Sequence, residues 1–166
     1  MDELIEQTGI VYRALRMPFF MENLVGQADA MKAPGAFYLP NDVDRTLLTV
    51  ATRDIASAAT RELLDESCAD QRSVPVIGPD NLRPRQMAQT VSDVVGWQVR
   101  AEHMPAHEYR TTMTGYGLTR GFVQGLINMA TAQGDGIYDR DAAEANRTTT
   151  SFKQCCRDTL IPAIQG

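Results

Sequence analysis

The sequence predicts an α/β fold with a mostly parallel sheet, and three observations carry that expectation. Short runs rich in apolar and β-branched residues, among them "GIVYRAL", "TLLTVAT" and "QVRAEHM", alternate with longer stretches whose apolar residues recur at helical spacing. In the first run, five of the six residues from Ile10 to Leu15 are apolar or aromatic, the pattern of a strand covered on both faces rather than of a surface hairpin. Parallel pairs need helical crossovers, and the segments between the runs are long enough to supply them.

The elements follow in order. "DELIEQ" makes a short amphipathic helix, and Ile10 to Leu15 a strand. Pro18 suits the first turn of a helix through Met21, Leu24 and Val25 to about Met31, which "APGAFYLP" breaks before a strand at Ala36 to Leu39. "TLLTVAT" is the next strand. Thr52 then caps a helix whose buried stripe is Ile55, Ala58, Ala59 and Leu63, with Asp54 at its positive end. The strand "RSVPVIGPD" ends at Pro79 and Asp80, and Pro84 opens a helix bearing Met87, Ala88, Val91, Val94 and Val95, stopped by Gly96. "QVRAEHM" is a strand, Pro105 to Ala132 is mostly helical with glycine breaks, and a polar loop follows. The chain ends in a capped helix with Phe152, Cys155, Cys156 and Leu160 inward and Pro162 after it.

Composition narrows the function classes. The 166 residues suffice for one domain, and no repeat or linker divides them. Apolar runs fall short of the ~20 residues that span a membrane, so no membrane partner is expected. A net charge of -5 with scattered Lys and Arg argues against nucleic acid, "RPR" at Arg83 to Arg85 being the densest basic spot. The acidic amino terminus lacks the features of a secretory signal. Cys68 stands alone and Cys155 and Cys156 are adjacent, which gives neither a metal spacing nor a disulfide framework and points to a reducing, cytoplasmic setting.

Few motifs survive scrutiny. "GYGLTRG", Gly115 to Gly121, resembles a dinucleotide turn, but its third glycine comes one place late and no convincing strand precedes it. His103 and His107 are four apart yet straddle a strand-to-helix junction, so no metal site is assigned. Asp135, Asp139, Asp141 and Glu144 fail the calcium-loop spacing and form a solvated acidic loop. No Ser, His and Asp set is tied together by spacing. Glu22 and Asn23, with Phe19 and Phe20, lie just past a strand's carboxyl end, where open α/β sheets bind ligands.

Taken in order, "GIVYRALRMPFFMENL", "VATRDIASAATRELL", "VPVIGPDNLRPRQMAQTVSDVVGWQV" and "TTTSFKQCCRDTLIPAI" resemble the carboxyl-terminal half of the NmrA-like NAD(P)H-binding proteins, a branch of the atypical short-chain dehydrogenase/reductases. The resemblance covers nearly the whole chain. It implies a partial, Rossmann-like fold: a remnant of a mostly parallel sheet with a helical subdomain on the substrate side. The glycine-rich turn that binds pyrophosphate through backbone amides lies upstream of these segments in the family, so tight NAD(P)H binding by this chain alone is not expected.

The family pattern places Met17, Pro18, Phe19, Phe20 and Asn23 on the nicotinamide side of the cofactor, and Phe20, Tyr38, His103 and Tyr109 toward the substrate. Catalytic residues are not assigned; Tyr12, Tyr38, Tyr109, His103 and His107 are the candidates for proton transfer. The resemblance implies an NAD(P)H-dependent reductase of small organic substrates, here with its substrate-side half. The alternative is a regulatory or binding module that kept the fold without the nucleotide site. A strand built for two-sided burial without neighbours would leave an open edge, which predicts a homo-oligomer or a partner chain supplying the missing half.

Overall fold

The computed structural model describes residues 2–67 and 69–166, the side chains of Asp2, Glu3 and Glu144 excepted; Cys68 lies outside the described residues. Strands β1 (Tyr12–Arg16) and β5 (Gln71–Pro75) pair in parallel, Tyr12 opposite Gln71 and Arg16 opposite Pro75. Beyond that pair the two chains part. β4 (Leu47–Val50) wedges between their continuations, with β2 (Phe19–Phe20) parallel on one side and β6 (Asn81–Leu82) antiparallel on the other. Hydrogen bonds from Val76 N–H to the Arg16 carbonyl (2.9 Å) and from Gly78 N–H to the Thr49 carbonyl (2.7 Å) hold the seam. β3 (Ala36–Leu39) and β7 (Arg100–His103) form a separate parallel pair. All pairings but β4–β6 are therefore parallel, as the alternation of segments requires.

The helices are α1 (Asp2–Glu6), a 3₁₀ helix (Met21–Gln27), α2 (Ala28–Lys32), α3 (Thr52–Leu63), α4 (Pro84–Val95), α5 (Ala106–Gly115), α6 (Arg120–Gly134), α7 (Asp139–Glu144) and a carboxyl-terminal run. In that run α8 (Phe152–Cys155) passes through a π turn (Cys156–Leu160) into α9 (Ile161–Gln165). α4 begins on Pro84 and stops at Gly96, whose φ of 86° is left-handed, so both ends follow from local chemistry. Most of the core lies between α4, the 3₁₀ helix and the carboxyl-terminal run, around Phe37, Met31, Met87, Val91, Phe152 and Leu160. Each such side chain contributes on the order of 1.5–3 kcal/mol by leaving water. A second cluster, Val50, Ala58 and Val76, sits under α3.

Several expectations are corrected. Phe19 and Phe20 are extended rather than helical after Pro18, because β4 offers them strand pairing, and the helix that follows starts as 3₁₀. Ala51, not Thr52, occupies the cap position of α3; the missing acceptor is supplied from a distance by Glu22, both of whose carboxylate oxygens accept from Thr52 N–H at 3.0 Å. Pro162 lies within the terminal helical run rather than after it, at the start of α9 where an amide donor is dispensable. β1 is only half-buried, and Ile10, Val11 and Leu63 are 57%, 50% and 85% exposed, because the cluster beneath α3 is too small to cover them.

Edge directions follow from the pairing. N–H and C=O of one strand residue point to the same side, and alternate residues to opposite sides. Since the Arg16 carbonyl and Val76 N–H face each other, Arg13 and Leu15 turn their backbone groups to the outer edge of β1, and Ser73 and Pro75 turn theirs to the outer edge of β5. Among the described residues no strand pairs with either outer edge. No described helix is long and apolar enough to cross a membrane.

Candidate functional site at the carboxyl ends of β1 and β5

The point where β1 and β5 part carries Arg16, Met17 and Pro18 on one strand and Val76, Ile77 and Gly78 on the other. Gly78 is required there by close approach: a Cβ would lie 2.6 Å from the Thr49 carbonyl oxygen. α7 and the segment after it close over this end. Arg16 pairs with Asp141, which is 5% exposed and buried as part of that ion pair. Arg147 donates to the Gly78 carbonyl at 2.9 Å and the Ala142 carbonyl at 3.1 Å, and Thr148 N–H donates to the Ile77 carbonyl at 2.8 Å. Asp54, at the start of α3, accepts from Thr150 N–H and Oγ1 at 3.0 and 2.8 Å. Burial alone would raise its pKa, but the nearby Thr148 hydroxyl and the bonds from the Thr150 hydroxyl and amide outweigh it, and the carboxyl lies below its ordinary value.

Tyr138, just before α7, has its pKa raised by burial and by the Asp141 carboxylate, against the opposing effect of Arg16. Its phenol therefore stays protonated at neutral pH and can donate a hydrogen bond, but not act as a base. It lines a pocket of about 250 Å³ with Leu47, Leu48, Asn81, Gln133 and Asp139.

The residues expected at the site separate. Phe19 packs against the large core, whereas Met17 and Phe20 pack against the Val50 cluster, so the two phenylalanines face opposite sides instead of forming one floor. Pro18 is buried and Asn23 exposed. Tyr38 is opposite Glu102 and Leu39 opposite His103, which puts Tyr38 and His103 on opposite faces of the β3–β7 pair. The His103 Nδ1 is 3.1 Å from the Asn41 carbonyl and carries the proton in the neutral ring, since a carbonyl only accepts. Tyr109, on α5, has its pKa raised by burial. Tyr12 donates to Glu6 at 2.7 Å, and His107 is exposed beside Glu108. None of the expected residues lines either the Tyr138 pocket or a larger cleft of about 650 Å³ beside β5.

"GYGLTRG" connects α5 to α6, with Gly117 left-handed at φ 87°, and no strand precedes it. No described cluster of His, Cys, Asp and Glu could hold a metal. Asp141 corrects the reading of a solvated acidic loop, since Arg16 draws it inside; the Glu144 side chain is outside the description. Sequence reasoning missed Tyr138 and Arg147, for which no local pattern exists. Arg16 carried a weak signal, as a charge at the end of a mostly apolar run.

A mostly parallel sheet with helical crossovers defines a Rossmann-like α/β fold, and solved structures share it. Over 94% of its length the chain superposes on an NADPH-dependent quinone oxidoreductase from Escherichia coli solved with NADPH, at a TM-score of 0.73 and 20% identity, covering 56% of that chain. A triphenylmethane reductase of Citrobacter sp. complexed with NADP(H) gives a TM-score of 0.71 at 18% identity, with 94% and 56% of the two chains covered. In sequence, the chain is 27% identical to an NAD(P)H azoreductase of Xenophilus azovorans, over 92% of itself and 54% of the relative. Prestalk A differentiation protein A of Dictyostelium discoideum is 23% identical, over 96% and 54%. The chain thus spans about half the length of the curated relatives it matches. No protein-family model matches it.

Proposed function

We propose that this chain is a single domain, the substrate-side half of an NAD(P)H-dependent reductase of small organic compounds. The observation that carries the proposal is the open outer edge of β1, whose Arg13 and Leu15 backbone groups face the side on which a parallel sheet would continue. By the family resemblance the amides that cradle a pyrophosphate lie upstream of these segments, so NAD(P)H would be held mainly by the other half. The open edge is completed by further sheet, from a partner chain that carries the nucleotide-binding half or through pairing with a second copy of this chain, in a reducing cytoplasmic setting that suits the buried free thiols of Cys155 and Cys156.

In this reading the chain positions reactants while the nicotinamide supplies the hydride. Met17, Pro18 and Phe20 border the cofactor with Asn23 as a polar anchor, while Phe19 holds their segment in the large core. Phe20, Tyr38, His103 and Tyr109 remain the substrate-side candidates, and Tyr138 joins them as a neutral hydrogen-bond donor at the strand ends. The test is calorimetric titration of the 166-residue chain with NADPH and NADH at low salt. The expected result is no detectable binding by the chain alone. Micromolar binding would overturn the half-site reading and mean that these residues build a complete nucleotide site.

A further inference from the structure

The outer edge of β5 opens on the cleft of about 650 Å³ between that strand, α3 and residues 145–149. Ser73 turns its N–H and C=O, and Pro75 its C=O, into this space, and Ser73 N–H has no partner among the described residues. Only the far end of the edge is used: Thr148 N–H bonds the Ile77 carbonyl, so the chain's own segment begins an added strand and then turns away. Pro75 withholds one donor, which blunts indiscriminate sheet-to-sheet pairing but leaves the Ser73 groups available.

The charges around the cleft are unbalanced. Glu62 is occupied by Arg13 at 3.3 Å and Arg72 at 3.0 Å, and Asp54 by Thr150. The Arg61 side chain makes no hydrogen bond or ion pair among the described residues, and that of Arg147 bonds only two carbonyls. Two cations therefore face the cleft without a carboxylate, on a chain whose net charge is -5. Ala58, Val74, Val76 and Ala145 supply small apolar lining between them.

We propose that this cleft binds an extended acidic segment of another polypeptide, which adds as a strand to the outer edge of β5 through Ser73 and sets its carboxylates against Arg61 and Arg147. Strand addition supplies main-chain hydrogen bonds, and the arginines select the charge. The site borders the strand ends through Arg147, but the strand addition itself uses the Ser73 edge and neither the β1 edge nor the residues assigned to the cofactor.

The test is titration of the ¹⁵N-labelled full chain with a short peptide alternating valine and glutamate, and with its valine–lysine counterpart. The Ser73 amide is expected to shift and exchange more slowly with the acidic peptide only. Arg61→Glu, on the helix surface, should weaken binding about tenfold or more, and Ser73→Pro, which removes the outward donor, should abolish it. An unmoved Ser73 amide, equal binding of the lysine peptide, or full binding by Arg61→Glu would each overturn the proposal. Arg61→Glu keeps the test decisive should Ser73→Pro fail to fold.

Discussion

Replacing Gly78 by alanine tests the claim that the parting of β1 and β5 is a point of close backbone contact. The added Cβ would sit 2.6 Å from the Thr49 carbonyl oxygen and 3.2 Å from Met21 Cε. Reaching ordinary contact at 3.4 Å needs a retreat of about 0.8 Å from that oxygen. Moving the backbone that far would stretch the Gly78 N–H bond to Thr49 from 2.7 Å to the limit of hydrogen bonding. Overpacking costs ~1–3 kcal/mol, and the bond contributes ~0.5–1.5 net. Reduced freedom of the unfolded chain returns ~0.4–1. The balance centres near ~2 kcal/mol, about a thirtyfold loss in the folded-to-unfolded ratio. Urea titration followed by fluorescence of the single tryptophan, Trp97, whose Nε1 donates to the Met31 carbonyl at 3.0 Å, reads it directly. Gly26→Ala is the control, since nothing lies within 4 Å of its Cβ. If the two variants unfold at the same urea concentration, the close contact at Gly78 is not there and the geometry of the seam is wrong.

Two further outcomes follow. Glu22→Ala should cost about 1 kcal/mol by removing the acceptor at the amino end of α3, and Glu22→Gln should restore part of it; a loss no greater than that of an exposed control such as Glu66→Ala would refute the capping role. Burial, joined at Cys155 by nearby Glu22, pushes both Cys155 and Cys156 up from 9.0 to about 12. In the unfolded chain these thiols ionise near the ordinary value while the native chain keeps its protons. Stability should therefore be unaffected below pH 9 and fall as pH rises from there toward 12, and peptide mapping after iodoacetamide at pH 8 should find both thiols unmodified until urea unfolds the chain.

What the sequence disclosed was what short-range chemistry decides. Pro84 and Gly96 frame α4 because one tolerates a missing amide bond and the other a left-handed φ, and both effects act within a turn. Glycine and proline likewise delimit Ala36 to Leu39, which is β3. What stayed hidden depends on contacts far along the chain. Glu22 reaches Thr52 across 30 positions and Arg16 reaches Asp141 across 125, so no window contains both partners. Phe19 and Phe20 misled for the same reason: Pro18 favours a helix start locally, and only pairing with Thr49 and Val50 makes them extended and sends their rings to opposite sides. The candidate site was legible as a place, the carboxyl end of the first strand, but its partners from α7 were not.

The two outer edges of the β1–β5 pair differ in a way that bears on the half-molecule proposal. A finished edge is normally blunted by proline, a bulge, lysine or a covering segment. The β5 edge has such devices: Pro75 faces outward, and Thr148 covers the end of the line. The β1 edge presents Arg13 and Leu15 with neither proline nor covering segment among the described residues, and Ile10 and Val11 lead into it exposed. Arg13 does not defend it as a solvated charge, because its side chain is drawn in against Glu62 and Asp70. The β5 edge is thus blunted at Pro75 and Ile77 and open only at Ser73, whereas the β1 edge is open along its length. Leu15→Pro, at an outward-facing β1 position, should therefore leave the isolated chain's internal pairing intact while blocking any assembly that completes the sheet, and size-exclusion light scattering reads the difference. Unchanged assembly would place the partner's contact elsewhere.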